Sequence, residues 1–339
     1  MSKRKLTRRQ QWRIEKVQEE RTARAAKRDK QADAHLNESD LGAEQVGLII
    51  THFGTQVVVE ATEGELAGQH QRCHFRSNLG SLVTGDKVVW RPGKPMGVVV
   101  AVMPRTSALQ RPDPHGDMKT VAANIDRIMI VVAPYPEPHA NLIDRYLVAA
   151  NAIDIEPVLV INKIDRIDES TQDKITYLET TYRNLGYKVL MVSTKTDTGL
   201  DELREYLTHY TSVFVGQSGV GKSSLVNALL PESNLRVGDL SARQEGTHTT
   251  TSATLLHFPD GGHLIDSPGI REFGLWHMDE DEVLEGFVEF KPFIGYCKFR
   301  DCSHRHEPGC AILKALDEGA ISPTRMDSYR YILRTLNEN

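Results

Sequence analysis

Residues 211–224 read Thr-Ser-Val-Phe-Val-Gly-Gln-Ser-Gly-Val-Gly-Lys-Ser-Ser. Val213, Phe214 and Val215 predict a short buried strand, and Ser224 to Leu230 continue as a helix with an apolar face. Between them, Gly216-Gln217-Ser218-Gly219-Val220-Gly221-Lys222-Ser223 fits G-x-x-x-x-G-K-[ST], and a phosphate-binding loop needs this strand–loop–helix setting. Gly216 and Gly221 let the backbone curl where a Cβ would clash. Loop N–H groups and the helix N-terminus then point at an anion. Lys222 reaches β- and γ-phosphates, and the Ser223 hydroxyl is a ligand for Mg2+. Ser224 belongs to the same binding stretch.

Upstream, strand and helix patterns alternate. Ile125–Ala133, Pro157–Asn162 and Lys188–Ser193 are apolar runs of the kind that parallel strands buried on both faces require. Helical stretches lie at about His139–Ala152, Glu169–Leu185 and Leu200–Tyr206. The pattern predicts a doubly wound α/β domain with its ligand at the carboxyl ends of the strands. The second strand ends in Asn162-Lys163-Ile164-Asp165. Asp165 offers two acceptor oxygens to guanine N1–H and its exocyclic amine. Adenine has no matching donor pair and would leave the carboxylate unpaired. Asn162 is expected to bond the base edge, and the Lys163 stem to lie along the base plane. Ser193-Thr194-Lys195 follows the third strand and would cap the base from the other side.

Downstream, Gly246-Thr-His-Thr-Thr-Thr251 is polar and flanked by glycine. A threonine hydroxyl here, Thr250 for preference, completes a Mg2+ shell when a γ-phosphate is present. His263-Leu264-Ile265 then leads to Asp266-Ser-Pro-Gly269, a D-x-x-G at a strand end. Asp266 would hold Mg2+ through water, and the Gly269 N–H would meet the γ-phosphate. The next residue, Ile270, cannot orient water as a glutamine does there in signalling GTPases. His248 is the candidate for that task, as water-orienting group or base. Slow unaided hydrolysis is the expected consequence.

The chain ends differ from this centre. At 339 residues, two or three domains are expected. The net charge of −5 hides an asymmetry: residues 1–30 hold 12 Lys/Arg against 4 Asp/Glu, and the remainder 29 against 42, a net −13. Residues 1–43 therefore read as a basic, disordered tail, carrying Trp12, with a polyanionic partner such as RNA. Residues 44–112 show about five short β-rich runs separated by Gly, Asn and Pro turns, which fits an OB-fold, a barrel type that often binds oligonucleotides. Cys73 reads as a plain strand residue, and 113–123 as a linker opening a domain that runs to 276. Residues 277–339 begin with an acidic helix, DEDEVLEGFVEF, and hold the other three cysteines in Cys297-x4-Cys302-x-His304-x5-Cys310. Three thiolates and one imidazole make a closed tetrahedral Zn2+ set, structural rather than catalytic, with His306 an alternative to His304. Lys298, Arg300, Arg305 and His306 make this knuckle cationic. A last helix is expected at about Thr324–Leu336. Few cysteines, no apolar run near the ~20 residues that span a bilayer and no secretory signal predict a cytoplasmic protein with no membrane contact.

GTPases usually run P-loop, switch threonine, D-x-x-G, N-K-x-D, then the S-A-K-like motif. Here the order is NKID, STK, GQSGVGKS, GTHTTT, DSPG, a circular permutation. In this order and in its flanking modules the chain resembles the small-subunit-dependent GTPase family called RsgA or YjeQ. The resemblance implies an OB-fold barrel, a permuted α/β GTPase domain and a zinc-binding α-helical domain, and favours His304 as the fourth ligand. It implies GTP hydrolysis with GTP/GDP, Mg2+ and one Zn2+, coupled to late maturation of the small ribosomal subunit and stimulated by that subunit, with the subunit and its rRNA as partners. The protein is then expected to be a monomer. Residues 270–276, leaving directly after DSPG, would couple nucleotide state to the zinc module. Two other readings stay open: a permuted GTPase of large-subunit assembly, and a GTP-sensing rRNA-binding protein with little turnover.

Overall fold

The computed structural model describes residues 41–113, 116–230, 253–266 and 278–336. The chain divides into two compact units, Met1–Pro104 and Arg105–Asn339.

The first unit is a five-stranded barrel: β1 (Gln45–Phe53), β2 (Gln56–Ala61), β3 (His70–Phe75), β4 (Lys87–Arg91) and β5 (Gly97–Val102). Strand β1 pairs with β2, β2 with β3, β3 in parallel with β5, β5 with β4, and β4 back with β1, so no edge remains open. Alternation along β2 sends Val57, Val59 and Ala61 inward. They meet Ile49, Val88, Val99, Leu82 and Trp90, and Cys73 is one more member of this core. Gly47 is required because a Cβ there would sit 2.6 Å from Trp90 Nε1 and 2.4 Å from Val59 Cγ1.

The second unit opens with a hairpin, β6 (Ala108–Pro112) and β7 (Met118–Ala123). The sequence reading gave residues 108–112 to the barrel and 113–123 to a linker. Asp113 instead closes a tight turn: its carbonyl accepts from Gly116 N–H at 2.9 Å, and its carboxylate accepts from Asp117 N–H at 3.1 Å. These polar flanks carry too little apolar alternation to announce a hairpin.

Then follow β8 (Arg127–Val132), α1 (Ala140–Ala152), β9 (Glu156–Ile161), α2 (Gln172–Asn184), β10 (Lys188–Met191), α3 (Leu200–Leu207), β11 (Thr211–Val215), α4 (Lys222–Leu229), β12 (Thr254–His257) and β13 (His263–Asp266). The strands lie in the order β10-β9-β8-β11-β13 in parallel, with β12 antiparallel to β13. All six residues of β8 are buried, as helices on both faces require. Met129, Val131, Val158, Val160, Leu190, Phe214, Leu225 and Leu264 form one core across sheet and helices. The carboxyl ends of β8, β9, β10 and β11 open on one side of this sheet, and the loops leaving them carry the motif residues.

The last part is helical: α5 (Glu280–Gly286), α6 (Ala311–Asp317) and α7 (Pro323–Leu336). Asp279 and Glu282 form a reciprocal cap on α5, each side chain accepting the other's backbone N–H. The helix is shorter than the acidic run predicts. Phe287 and Phe290 turn inward instead and pack on Tyr329 of α7, with ring centroids 5.7 and 5.4 Å from it. Gly286 lies so close to Val148 of α1 that a Cβ would stand 2.5 Å from Val148 Cγ1. Among the described residues, no helix is long and apolar enough to cross a membrane.

Candidate functional site

Strand β11 ends at Val215, and the chain turns through Gly216 at φ +133°, where a Cβ would stand 2.2 Å from the Val131 carbonyl oxygen. Only glycine fits there. Gly221, at φ +96°, is the residue before α4, and a Cβ on it would strike Asn162 Nδ2 at 2.4 Å. Lys222 Nζ donates to the Gly216 and Gln217 carbonyls, both at 2.7 Å. The ammonium thus lies across the mouth of the loop, above the N-terminus of α4 where Ser223 and Ser224 stand. From α1, the Tyr146 hydroxyl is hydrogen-bonded to the Gly216 backbone. Burial pushes its pKa up, so it stays a neutral phenol.

The NKID loop after β9 grips this P-loop directly. Asn162 is fully buried, and its Nδ2 donates to the Val220 carbonyl at 2.9 Å. Lys163 adopts the left-handed region at φ +58°, and its Nζ donates to the Gly219 carbonyl and, at 3.4 Å, to that of Tyr135. Ile164 follows, half-buried, and Asp165 stands exposed at the open end. Asp165 Oδ1 accepts from Ser193 Oγ at 2.5 Å, and Ser193 Oγ accepts in turn from Lys195 N–H at 3.2 Å. The Ser193 hydrogen bond holds the Asp165 carboxyl below the usual range, so it remains an acceptor-only carboxylate. Thr194 and Lys195 continue beyond it, half-buried and exposed. Residues from loops after β9, β10 and β11 therefore form one connected cradle.

Asp266 closes β13, which lies beside β11, as a D-x-x-G carboxylate requires. His248, Thr250 and Gly269 lie outside the described residues, as do Ile270 and residues 1–40 of the basic tail.

Two contacts carried little or no sequence signal. One is the Tyr146–Gly216 bond; a tyrosine on an apolar helix face reads as core. The other is Tyr135, whose hydroxyl donates to Asp168 Oδ2 at 2.9 Å and lies 3.0 Å from Ser170 Oγ. Asp168 Oδ1 also accepts the Ser170 and Thr171 N–H groups, and these hydrogen bonds, that of the Ser170 hydroxyl first, hold its carboxyl down at about 2. The Asp-Glu-Ser-Thr run at 168–171, readable as a helix-start signal, was the one hint of it.

Asn162 also emerges as a clamp between loops, beyond its expected contact with the base. Replacing it by alanine leaves the buried Val220 carbonyl without its donor, at a cost of about 1–3 kcal/mol. Asn162→Ala is expected to weaken GDP and GTP to the same degree, by about tenfold. Titration with a fluorescent guanine nucleotide of each kind measures this. A loss confined to GTP would contradict the clamp, because the loop that Asn162 holds serves phosphates that both nucleotides carry.

The second cluster lies between a single 3-10 turn, Lys291–Phe293, and α6. Cys297, Cys302, His304 and Cys310 bring their ligand atoms within 4.8 Å of one another. Cys297 Sγ lies 3.8 Å from Cys310 Sγ and 3.5 Å from His304 Nδ1, and His304 Nδ1 lies 3.3 Å from Cys310 Sγ. A tetrahedral ion with arms of about 2.3 Å to sulfur and about 2.05 Å to nitrogen sets these edges at about 3.8 and 3.6 Å. The cluster is compatible with one zinc, and His306 is not in it. Glu307 shapes the loop around it: Oε1 accepts Ser303 N–H at 2.9 Å, and Oε2 accepts Arg305 and His306 N–H at 3.0 and 3.1 Å.

A parallel sheet with a P-loop after one strand, and an NKID loop that precedes it in sequence yet clamps it in space, defines a circularly permuted P-loop GTPase. The RsgA GTPase family model matches residues 102–276. The chain is 60% identical to the "Small ribosomal subunit biogenesis GTPase RsgA" of Pseudomonas fluorescens (strain SBW25), over 100% of its own length and 99% of the relative's. The protein of that name from Azotobacter vinelandii is also 60% identical, with the same coverage. Among solved structures, YjeQ from Thermotoga maritima matches with a TM-score of 0.72 at 32% identity, over 88% of this chain and 100% of that one. YloQ, described as a circularly permuted GTPase, matches with a TM-score of 0.69 at 30% identity, over 87% and 96%. The chain belongs to the RsgA GTPase family.

Proposed function

We propose that this GTPase binds the small ribosomal subunit and couples GTP hydrolysis to its late maturation and to the release of factors from it. The observation that carries the reading is the joined cradle of NKID and P-loop, in a chain that matches proteins named for small-subunit biogenesis over their full length. Asp165, Asn162 and Lys163 select guanine with Ile164, Ser193, Thr194 and Lys195. Residues 216–224 hold the phosphates. Ser223 and Thr250, with Asp266 through water, would hold Mg2+, which neutralises charge on the β- and γ-phosphates. Cys297, Cys302, His304 and Cys310 hold one structural zinc. The basic tail, the barrel and the zinc module, flanking the GTPase domain, grip rRNA; the protein works as a cytoplasmic monomer.

Hydrolysis depends on help, because Ile270 offers no side-chain hydrogen bond to a water. His248 orients or deprotonates that water when the subunit is bound. Single-turnover GTP hydrolysis by wild type and His248→Ala, with and without saturating small subunits, tests both claims. The expected result is strong stimulation of wild type by the small but not the large subunit, and a His248→Ala rate lower by about 10²–10⁴ on the subunit. Unstimulated wild type would instead favour a GTP sensor, and equal stimulated rates would remove His248 from the chemistry.

A further inference from the structure

The loop that leads into the metal cluster reads Tyr296-Cys297-Lys298-Phe299-Arg300. Aromatic and cationic residues alternate around a ligand cysteine. Tyr296 is 78% exposed, the most exposed of the large apolar residues described, and Phe299 is 43% exposed. A singly exposed aromatic needs no explanation, but two within four residues on a small, rigid knuckle do. The backbone beneath them is fixed. Lys298 N–H donates to the Gly309 carbonyl at 3.0 Å, Tyr296 N–H to that of Phe293 at 3.3 Å, and Ala311 N–H to Cys297 Sγ at 3.3 Å. Gly309, at φ +77°, lies against the Lys298 stem, where a Cβ would stand 3.0 Å from Lys298 Cβ. The Lys298 ammonium in turn stands 5.5 Å from the Phe299 ring centroid.

Charge decides what such a surface fits. Between Lys291 and Cys310 the chain carries Lys291, Lys298, Arg300 and Arg305 against Asp301 and Glu307, whereas the chain beyond residue 30 is net −13; Arg305 faces Glu280 of α5 at 3.9 Å, which leaves Lys291, Lys298 and Arg300 to set the sign of the loop. Glu307 spends its carboxylate on three backbone N–H groups of its own turn. The local face is therefore cationic on an acidic body, and it is complementary to a polyanion.

We infer that Tyr296 and Phe299 are a stacking platform for unpaired RNA bases, with Lys298 and Arg300 holding the flanking phosphates. Every base has a π-face that an aromatic ring can accept, so the platform grips single-stranded RNA without reading its sequence. The zinc ligands give the rings their rigidity, which keeps the ordering entropy of binding low. This inference rests on the proposed action on the small subunit, and it names the contact that the zinc module makes there.

The test uses the full-length zinc-loaded chain with purified small subunits and a non-hydrolysable GTP analogue, and separately with a short single-stranded RNA carrying 2-aminopurine. Tyr296→Ala is expected to weaken both about tenfold and to abolish the change in 2-aminopurine fluorescence, while Tyr296→Phe keeps both. Phe299→Ala is expected to act in the same direction. Zinc content and melting temperature, unchanged in each variant, separate lost stacking from lost folding. If wild type sediments with the subunit and Tyr296→Ala does so equally well, the platform is wrong and the subunit reading stands. If Tyr296→Ala weakens subunit binding but not RNA binding, the tyrosine meets a protein and the RNA platform is overturned. If wild type does not sediment at all, the reading beneath the platform fails and the platform with it.

Discussion

Asp165→Asn is expected to weaken GTP binding at least a hundredfold, about 2.7 kcal/mol, and to make xanthosine triphosphate the better ligand. The argument starts from the carboxylate. Its Ser193 hydrogen bond at 2.5 Å keeps it ionised and fixes its orientation, so both oxygens act only as acceptors. Guanine presents two adjacent donors, N1–H and the 2-amino group, to such a pair. An asparagine replaces one acceptor with an NH2 donor that would face the guanine amine, donor against donor. Xanthine carries a carbonyl at that position, so the same NH2 finds an acceptor, and N1–H still meets the amide oxygen. Specificity of this kind is large because a mismatch leaves polar groups unpaired in a desolvated site. Binding of the two triphosphates by calorimetry measures the exchange. An equal loss for both would mean that Asp165 shapes the loop without touching the base.

How far the sequence reveals the molecule depends on whether the deciding interaction is local. The P-loop is legible because its glycines, its lysine and its flanking strand and helix lie together between Thr211 and Leu229, and each residue type has one physical use there. The parallel strands are legible because burial on both faces forces apolar runs; β8 is buried throughout. The permuted order is legible for the same reason, since NKID, STK, the P-loop and DSPG each follow such a run. The closed barrel follows from β-rich runs and their turns, although the alternation along β2 shows the inward face more plainly than the exposed pattern of β3 does. The Cys3His set is legible from ligand chemistry alone; the family resemblance favours His304 over His306, and the structure has His304 and not His306 in the cluster.

What stayed hidden are contacts between polar residues far apart in the chain. Asn162 and Val220 are separated by 58 positions, and no pattern in either segment announces that one clamps the other. The end of α5 depended on Phe287 and Phe290 finding Tyr329. Arg325 is the clearest case. It lies in a helix of polar composition, where a charged residue reads as solvated. Its side chain is instead 2% exposed and reaches Asp144, 181 residues away.

Arg325→Met is expected to destabilise the second unit by about 3–5 kcal/mol, because it leaves the buried Asp144 carboxylate and the part-buried Glu289 carboxylate with no cation. In the wild type, the Arg325 guanidinium donates to Asp144 Oδ1 from Nη1, and to Glu289 from Nε at 2.5 Å and Nη2 at 3.0 Å. Asp144 is fully buried, and its Oδ1 also accepts from the Tyr182 hydroxyl at 2.5 Å. Arg325 lies on α7, Glu289 just beyond α5, and Asp144 on α1, so a single guanidinium ties the C-terminal helices to the GTPase sheet's own helix. The Phe287 ring, 4.5 Å from the guanidinium carbon, closes the site from water. Burial pushes the Asp144 carboxyl up and Arg325 pulls it back down. Without the arginine, burial acts alone and the folded-state pKa of Asp144 rises further above its unfolded value. For a carboxyl raised in this way, the neutral form is the one the fold tolerates. The penalty is therefore absent below the unfolded pKa and grows as pH rises toward the folded pKa. The stability gap between Arg325→Met and wild type should accordingly narrow as pH falls from 8 to 5, opposite to the loss on acidification that a surface ion pair shows. Thermal or denaturant melts across that range, with Asp144→Leu and Glu289→Leu added to Arg325→Met, decide the matter. The triple variant, with no buried charge left, should regain most of the lost stability; if it melts as low as Arg325→Met, the cost lies in packing and not in the stranded carboxylates.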